Sequence, residues 1–82
     1  MRVFVKVFAT LVRLVPGARA GVPFERSLPE GASVADLIER LDLPRGDVRL
    51  VFVNGLAKEI DQTLAADDEI GLFPPIGGGS SG

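Results

Sequence analysis

The chain opens on an alternation. In Arg2-Val3-Phe4-Val5-Lys6-Val7-Phe8 polar residues interleave with β-branched and aromatic ones, a period of two that predicts a strand with Val3, Val5 and Val7 turned inward. Thr10 to Val15 suits one or two helical turns, which Pro16-Gly17 ends. Val22 to Leu28 is a second strand candidate with Val22, Phe24, Arg26 and Leu28 on one face, and Pro29-Glu30-Gly31 closes it. Ser33 then offers a helix N-cap with Asp36 three residues on as its capping-box partner. Val34, Leu37, Ile38 and Leu41 follow at helical spacing and predict the core face of the one main helix, which Pro44-Arg45-Gly46 breaks.

Val48 to Val53 is rich in β-branched and aromatic residues and predicts a largely buried central strand. Asn54-Gly55 tolerates the positive φ angles of a tight primed turn, so turn geometry alone explains it, and a reversal into Leu56 to Ile60 follows. A connection carrying Asp61, Asp67 and Asp68 leads to a last strand, Glu69 to Phe73, which stops where Pro74-Pro75 removes two backbone donors. The order β-β-α-β-β is that of an α+β, ubiquitin-like β-grasp: a mixed sheet with one main helix packed on it. Residues 1–76 form the domain, and 77–82 are expected to be a flexible glycine-rich tail with almost no side chains to pack. Phe4, Phe8, Phe24 and Phe52 are assigned to the core as alternating strand aromatics. Phe73 borders the tail, and two readings stay open for it, last core residue or exposed docking contact.

Composition narrows the chemistry. The 82 residues suffice for a single core, and a mean hydropathy of +0.31 supports one that folds. With no Cys and no His, a disulfide, a thiolate metal site and the usual acid–base residue are all missing, so an enzyme acting alone is the reading least favoured and no metal site is expected. A net charge of −2, with the nine basic residues dispersed, disfavours nucleic acid and suits a basic protein partner. No apolar run approaches the ~20 residues of a membrane helix and no signal peptide is recognisable, which points to the cytoplasm with no membrane partner. The acids at Asp61, Asp67, Asp68 and Glu69 read as a solvated face that can steer a basic partner, and Lys6 and Lys58 as ordinary surface lysines.

What remains is a backbone carboxylate at the end of a glycine run. Glycine lets backbone lie close to a nucleotide phosphate, and from Pro75 to Gly79 the chain spans about 13 to 14 Å if extended, enough to thread an active site. Val53-Asn54-Gly55, Leu64, and Asp67-Asp68-Glu69-Ile70-Gly71-Leu72-Phe73-Pro74-Pro75-Ile76-Gly77-Gly78-Gly79 together resemble the C-terminal signature of the MoaD/ThiS-type sulfur carriers, closest to the small subunit of molybdopterin synthase. Phe-Pro-Pro followed by Gly-Gly is the discriminating piece.

The resemblance implies a carrier, not an enzyme, whose terminal carboxylate is adenylated by an E1-like enzyme using ATP and converted to a thiocarboxylate. The chain itself then binds no cofactor. Motif to motif, Gly78 and Gly79 take the places of the final glycines, with Gly79 the reactive end. Phe73, Pro74, Pro75, Ile76 and Gly77 fall where the tail meets partner enzymes, including a large synthase subunit or another sulfur acceptor, and Leu56 or Ala57 is expected to share that surface. Molybdopterin synthesis is the pathway most resembled; thiamin, tRNA thiolation or cysteine synthesis, ubiquitin-like protein modification, and a non-covalent interaction module with an inert tail are the alternatives. The family's active form ends at the second glycine, whereas Ser80-Ser81-Gly82 follow here. Three readings are open: trimming by a protease, an appended remnant, or a relative that is never activated.

Overall fold

The computed structural model describes residues 1–75; Ile76 and the glycine tail lie outside them. Five strands form one mixed sheet: β1 (Arg2–Val7), β2 (Phe24–Ser27), β3 (Leu50–Val53), β4 (Leu56–Ala57) and β5 (Glu69–Phe73), in the order β2-β1-β5-β3-β4. β1 runs parallel to β5, with Val5 beside Ile70 and Val7 beside Leu72, and every other pairing is antiparallel. Helix α1 (Leu11–Leu14) follows β1, helix α2 (Val34–Arg40) follows β2, and a 3-10 turn at Arg45–Asp47 leads into β3. This is the ubiquitin-like β-grasp predicted above, with the second arm of the Asn54-Gly55 hairpin adding β4 as a short fifth strand.

One face of the sheet holds the core. Val3, Val5 and Val7 of β1, Val51 and Val53 of β3, and Ile70 and Leu72 of β5 are buried against Val34, Leu37 and Ile38 of α2, with Leu11, Val15, Leu28, Leu41, Leu43 and Leu64 closing the rim. Each fully buried side chain of this kind contributes about 1.5–3 kcal/mol. The capping box is present: the Asp36 N–H donates to Ser33 Oγ at 3.3 Å, and the Ser33 N–H to Asp36 Oδ2 at 2.9 Å.

Four expectations need correction. β3 is interior but not central; β5 holds the middle, and Leu50 of β3 is exposed because its parity turns it away from the helix. Val22 lies outside β2 and is exposed, since the strand starts only at Phe24. Phe4, Phe8 and Phe52 are not core: once Val3, Val5, Val7, Val51 and Val53 face α2, the pleat sends their neighbours to the opposite face, and only Phe24, beside Val5, leans on the core. Finally, α2 stops before Pro44. Asp42 adopts φ 58, the Leu43 N–H donates to Ile38 O at 3.2 Å and the Asp42 N–H to Glu39 O at 3.0 Å, a Schellman end with Leu43 buried beneath it.

Two measurements check this frame. Leu37→Ala leaves a cavity between α2 and the sheet and should cost about 2–5 kcal/mol in chemical denaturation. Asp42→Gly puts the residue best suited to a left-handed C′ position at the helix end and should stabilise by about 0.5–1 kcal/mol, where the same change inside α2 would destabilise.

Candidate functional site: an aromatic hollow at the root of the tail

The alternation that builds the core also dresses the outer face of the sheet. Phe8 follows β1, Phe52 sits in β3 and Phe73 ends β5, and all three share that face. The Phe8 and Phe73 rings are stacked, 4.2 Å between centroids and 4° from parallel, and Phe52 meets Phe73 edge-on at 5.6 Å. Gly71 lies between Lys6 of β1 and Phe52 of β3 in the ladder, and where it offers no side chain a hollow of about 220 Å³ opens. Lys6, Phe8, Phe52, Gly55, Glu69, Gly71 and Phe73 line it, with Lys6 Nζ 3.4 Å from Glu69 Oε1. Leu50, 41% exposed, stands opposite Phe73 and extends the apolar surface. Contiguous exposed apolar surface with a charged rim is the usual mark of a protein-binding site.

The acidic residues have structural duties. Asn54 Nδ2 donates to Asp68 Oδ1 at 2.9 Å, Asn54 Oδ1 accepts from the Glu69 N–H at 3.0 Å, and Asp68 Oδ2 accepts from the Ala65 N–H at 2.8 Å. Arg2 Nη2 lies 3.1 Å from Asp67 Oδ1. Asn54 and Gly55 do adopt the positive φ angles of the primed turn, 52° and 84°. Turn geometry alone is nevertheless too little, because the Asn54 side chain also clamps the hairpin to the start of β5. Asp67 and Asp68 are likewise not merely a solvated face. Among the described residues no cluster of His, Cys, Asp or Glu is arranged to hold a metal ion.

Of the residues proposed from the sequence, Phe73 is half-buried within the aromatic cluster, so both open readings are partly met: its ring is stacked inside the fold and still lines the hollow. Pro74 is buried and Pro75 is exposed. Leu56 is 63% exposed but pairs with Val53, whose side chain faces the core; register therefore places it on the opposite face from Phe73, apart from the hollow. Ala57, opposite Phe52, has the outward parity. Ile76, Gly77, Gly78 and Gly79 lie outside the described residues. Phe8, Phe52, Lys6 and Gly71 were missed as site residues, and the inward valines of β1 and β3 carried the signal for them.

Comparison with protein families matches the ThiS family over residues 5–79. The chain belongs to the ThiS family. Among solved structures, this ThiS-family chain is similar to the putative molybdopterin converting factor subunit 1 from Pyrococcus furiosus, at 34% identity and a TM-score of 0.72, covering 93% of this chain and 99% of that one. It is similar also to SAMP1 from Haloferax volcanii, at 26% identity and a TM-score of 0.70 over 96% and 100% of the two chains. A second structure of that archaeal modifier protein matches at 26% identity and a TM-score of 0.71, covering 92% and 98%. A search of curated proteins finds no match.

Gly71 is not required sterically. A Cβ there would lie 3.5 Å from Phe73 Cε1 and 3.8 Å from Phe8 Cε2, ordinary contact distances. Gly71→Ala should therefore fold and melt within about 1 kcal/mol of the parent or above it, since glycine weakens a strand interior. Asn54→Ala, which loses the clamp at a left-handed position, should cost about 1–3 kcal/mol by denaturant titration.

Proposed function

We propose that this chain is a sulfur carrier whose reactive group is the carboxylate of Gly79, exposed once Ser80-Ser81-Gly82 are removed. The single observation that carries the reading is that the family match runs through the Phe73-Pro74-Pro75-Ile76 segment and ends at Gly79. An E1-like enzyme binds the aromatic hollow and takes the tail into its nucleotide site. There a Gly79 carboxylate oxygen attacks the α-phosphorus of ATP and pyrophosphate leaves. Hydrosulfide released by a separate donor then attacks the acyl carbon and expels AMP, leaving a thiocarboxylate and a proton. The chain supplies no catalytic side chain and binds no cofactor of its own; adenylation, sulfur delivery and tail trimming belong to its partners in the cytoplasm.

The acceptor reading that fits best is molybdopterin synthesis, with a large synthase subunit taking the same hollow and tail. It is supported by the 34% identity to a molybdopterin converting factor subunit. Similarity to SAMP1 favours a second reading, protein modification, in which a lysine amine replaces sulfur as the nucleophile. Both readings use one activated intermediate and part only at the nucleophile.

A chain ending at Gly79, given an E1-like enzyme, ATP and a sulfur donor, should gain about 16 Da in intact mass as oxygen is exchanged for sulfur. No gain with several such enzymes would sink the carrier reading. Higher-mass conjugates in cells, lost when Gly79 is deleted, would favour the modifier, and full function in a chain cut after Pro75 would leave only a binding module.

A further inference from the structure

The β1–β5 ladder ends one residue too early to hold the root of the tail. Its last registered pair is Val7 with Leu72, after which Ala9 at φ 54 turns the chain off into α1. That conformation is disfavoured for a residue with a Cβ. Even so, the Phe8 ring lies back over β5 and stacks on Phe73, extending in side chains a pairing that the backbone has abandoned. A third feature keeps the ring there. Gly21, at φ +70, comes so close that a Cβ on it would lie 3.3 Å from Phe8 Cε1, and its N–H ties back to Val7 O at 3.0 Å.

The other restraints around Phe73 lie towards β3 and Pro74: Leu50 pairs with it in register, the Arg49 N–H donates to Phe73 O at 2.8 Å, the Phe52 ring meets it edge-on, and Pro74 is buried, so on the β1 side the Phe8 ring stands where the ladder has ended. We propose that Phe8 is a positioning residue: its stack on Phe73 fixes the direction in which the chain leaves the domain at Pro75. The consequence for activation rests on the carrier reading. An extended segment from Pro75 to Gly79 measures about 13 to 14 Å, so a 20° swing at its root moves the tip by roughly 5 Å. Displacements of even 1 Å at reacting atoms can cost a hundredfold in rate.

The experiment uses the chain ending at Gly79 and compares Phe8→Leu, which keeps apolar bulk but loses the stack, with Phe8→Tyr, which keeps the ring. In Phe8→Leu, hydrogen exchange at the Arg49 amide should quicken at least tenfold, while the Leu37 amide of α2 stays unchanged. In ATP–pyrophosphate exchange by an E1-like enzyme, its kcat should fall about tenfold on top of any rise in KM from lost contact in the hollow, and Phe8→Tyr should restore both readouts. Unchanged Arg49 exchange in Phe8→Leu would overturn the proposal. So would a raised KM with kcat intact, which marks Phe8 as a contact surface alone. If the parent chain is not adenylated the carrier reading fails, and the amide exchange still decides whether Phe8 holds the root.

Discussion

The parallel pairing of β1 with β5 is the contact on which the rest of the molecule depends. It joins the first strand of the chain to the last, places both inside the sheet with β5 in the middle, and sets the tail on a strand paired on both sides rather than on an edge. Parallel neighbours need a long crossover, and here everything between Val7 and Glu69 is that crossover, including both helices and the β3–β4 hairpin. The fold therefore closes only when its most distant segments meet, and loop-closure entropy must be offset by the valines, Ile70 and Leu72 that bury themselves at the junction.

Because β1 and β5 are interior strands, their two faces carry two different duties. The inward residues Val3, Val5, Val7, Ile70 and Leu72 supply cohesion, and the outward Phe8, Gly71 and Phe73 supply a surface. Neither set can slip by one residue without exchanging places with the other, so register in these strands is specified by the core and inherited by the site. Asn54, clamped to Asp68 and Glu69, pins the same register from the hairpin side.

Elements were legible in the sequence wherever one local rule sufficed. Ser33 and Asp36 announce the start of α2, Asn54-Gly55 announces the hairpin, and Val3-Val5-Val7 announces an inward face; each rests on residues within a few positions of one another. The end of α2 was misread because the Schellman position is filled by Asp42 rather than glycine, so Pro44 drew the attention. The aromatic face was misread for a different reason. Hydrophobicity made Phe4, Phe8 and Phe52 look internal, while their parity against the valines said otherwise, and in a sheet covered on one side only parity decides. That β3 is flanked by β5 and β4, or that Leu56 lies across the sheet from Phe73, depends on non-local pairing that no short window contains. The tail motif, by contrast, was readable as a resemblance and carried no geometry.

The half-buried rings leave apolar surface open on the sheet, which would be a liability in a protein with no partner because such surface favours association. Their arrangement limits that cost. Phe8 and Phe73 cover one another face to face, Phe52 closes on Phe73 edge-on, and the Lys6–Glu69 pair flanks the opening, so most of each ring is already satisfied within the chain. What is left for a partner is the space above Gly71, small and directional. A surface built in this way discriminates by shape: an apolar group of the right size gains contact with three rings at once, and a flat one gains little. Set directly beside Phe73 and Pro74 at the end of β5, such a surface offers a protein partner a means of holding the domain in one orientation.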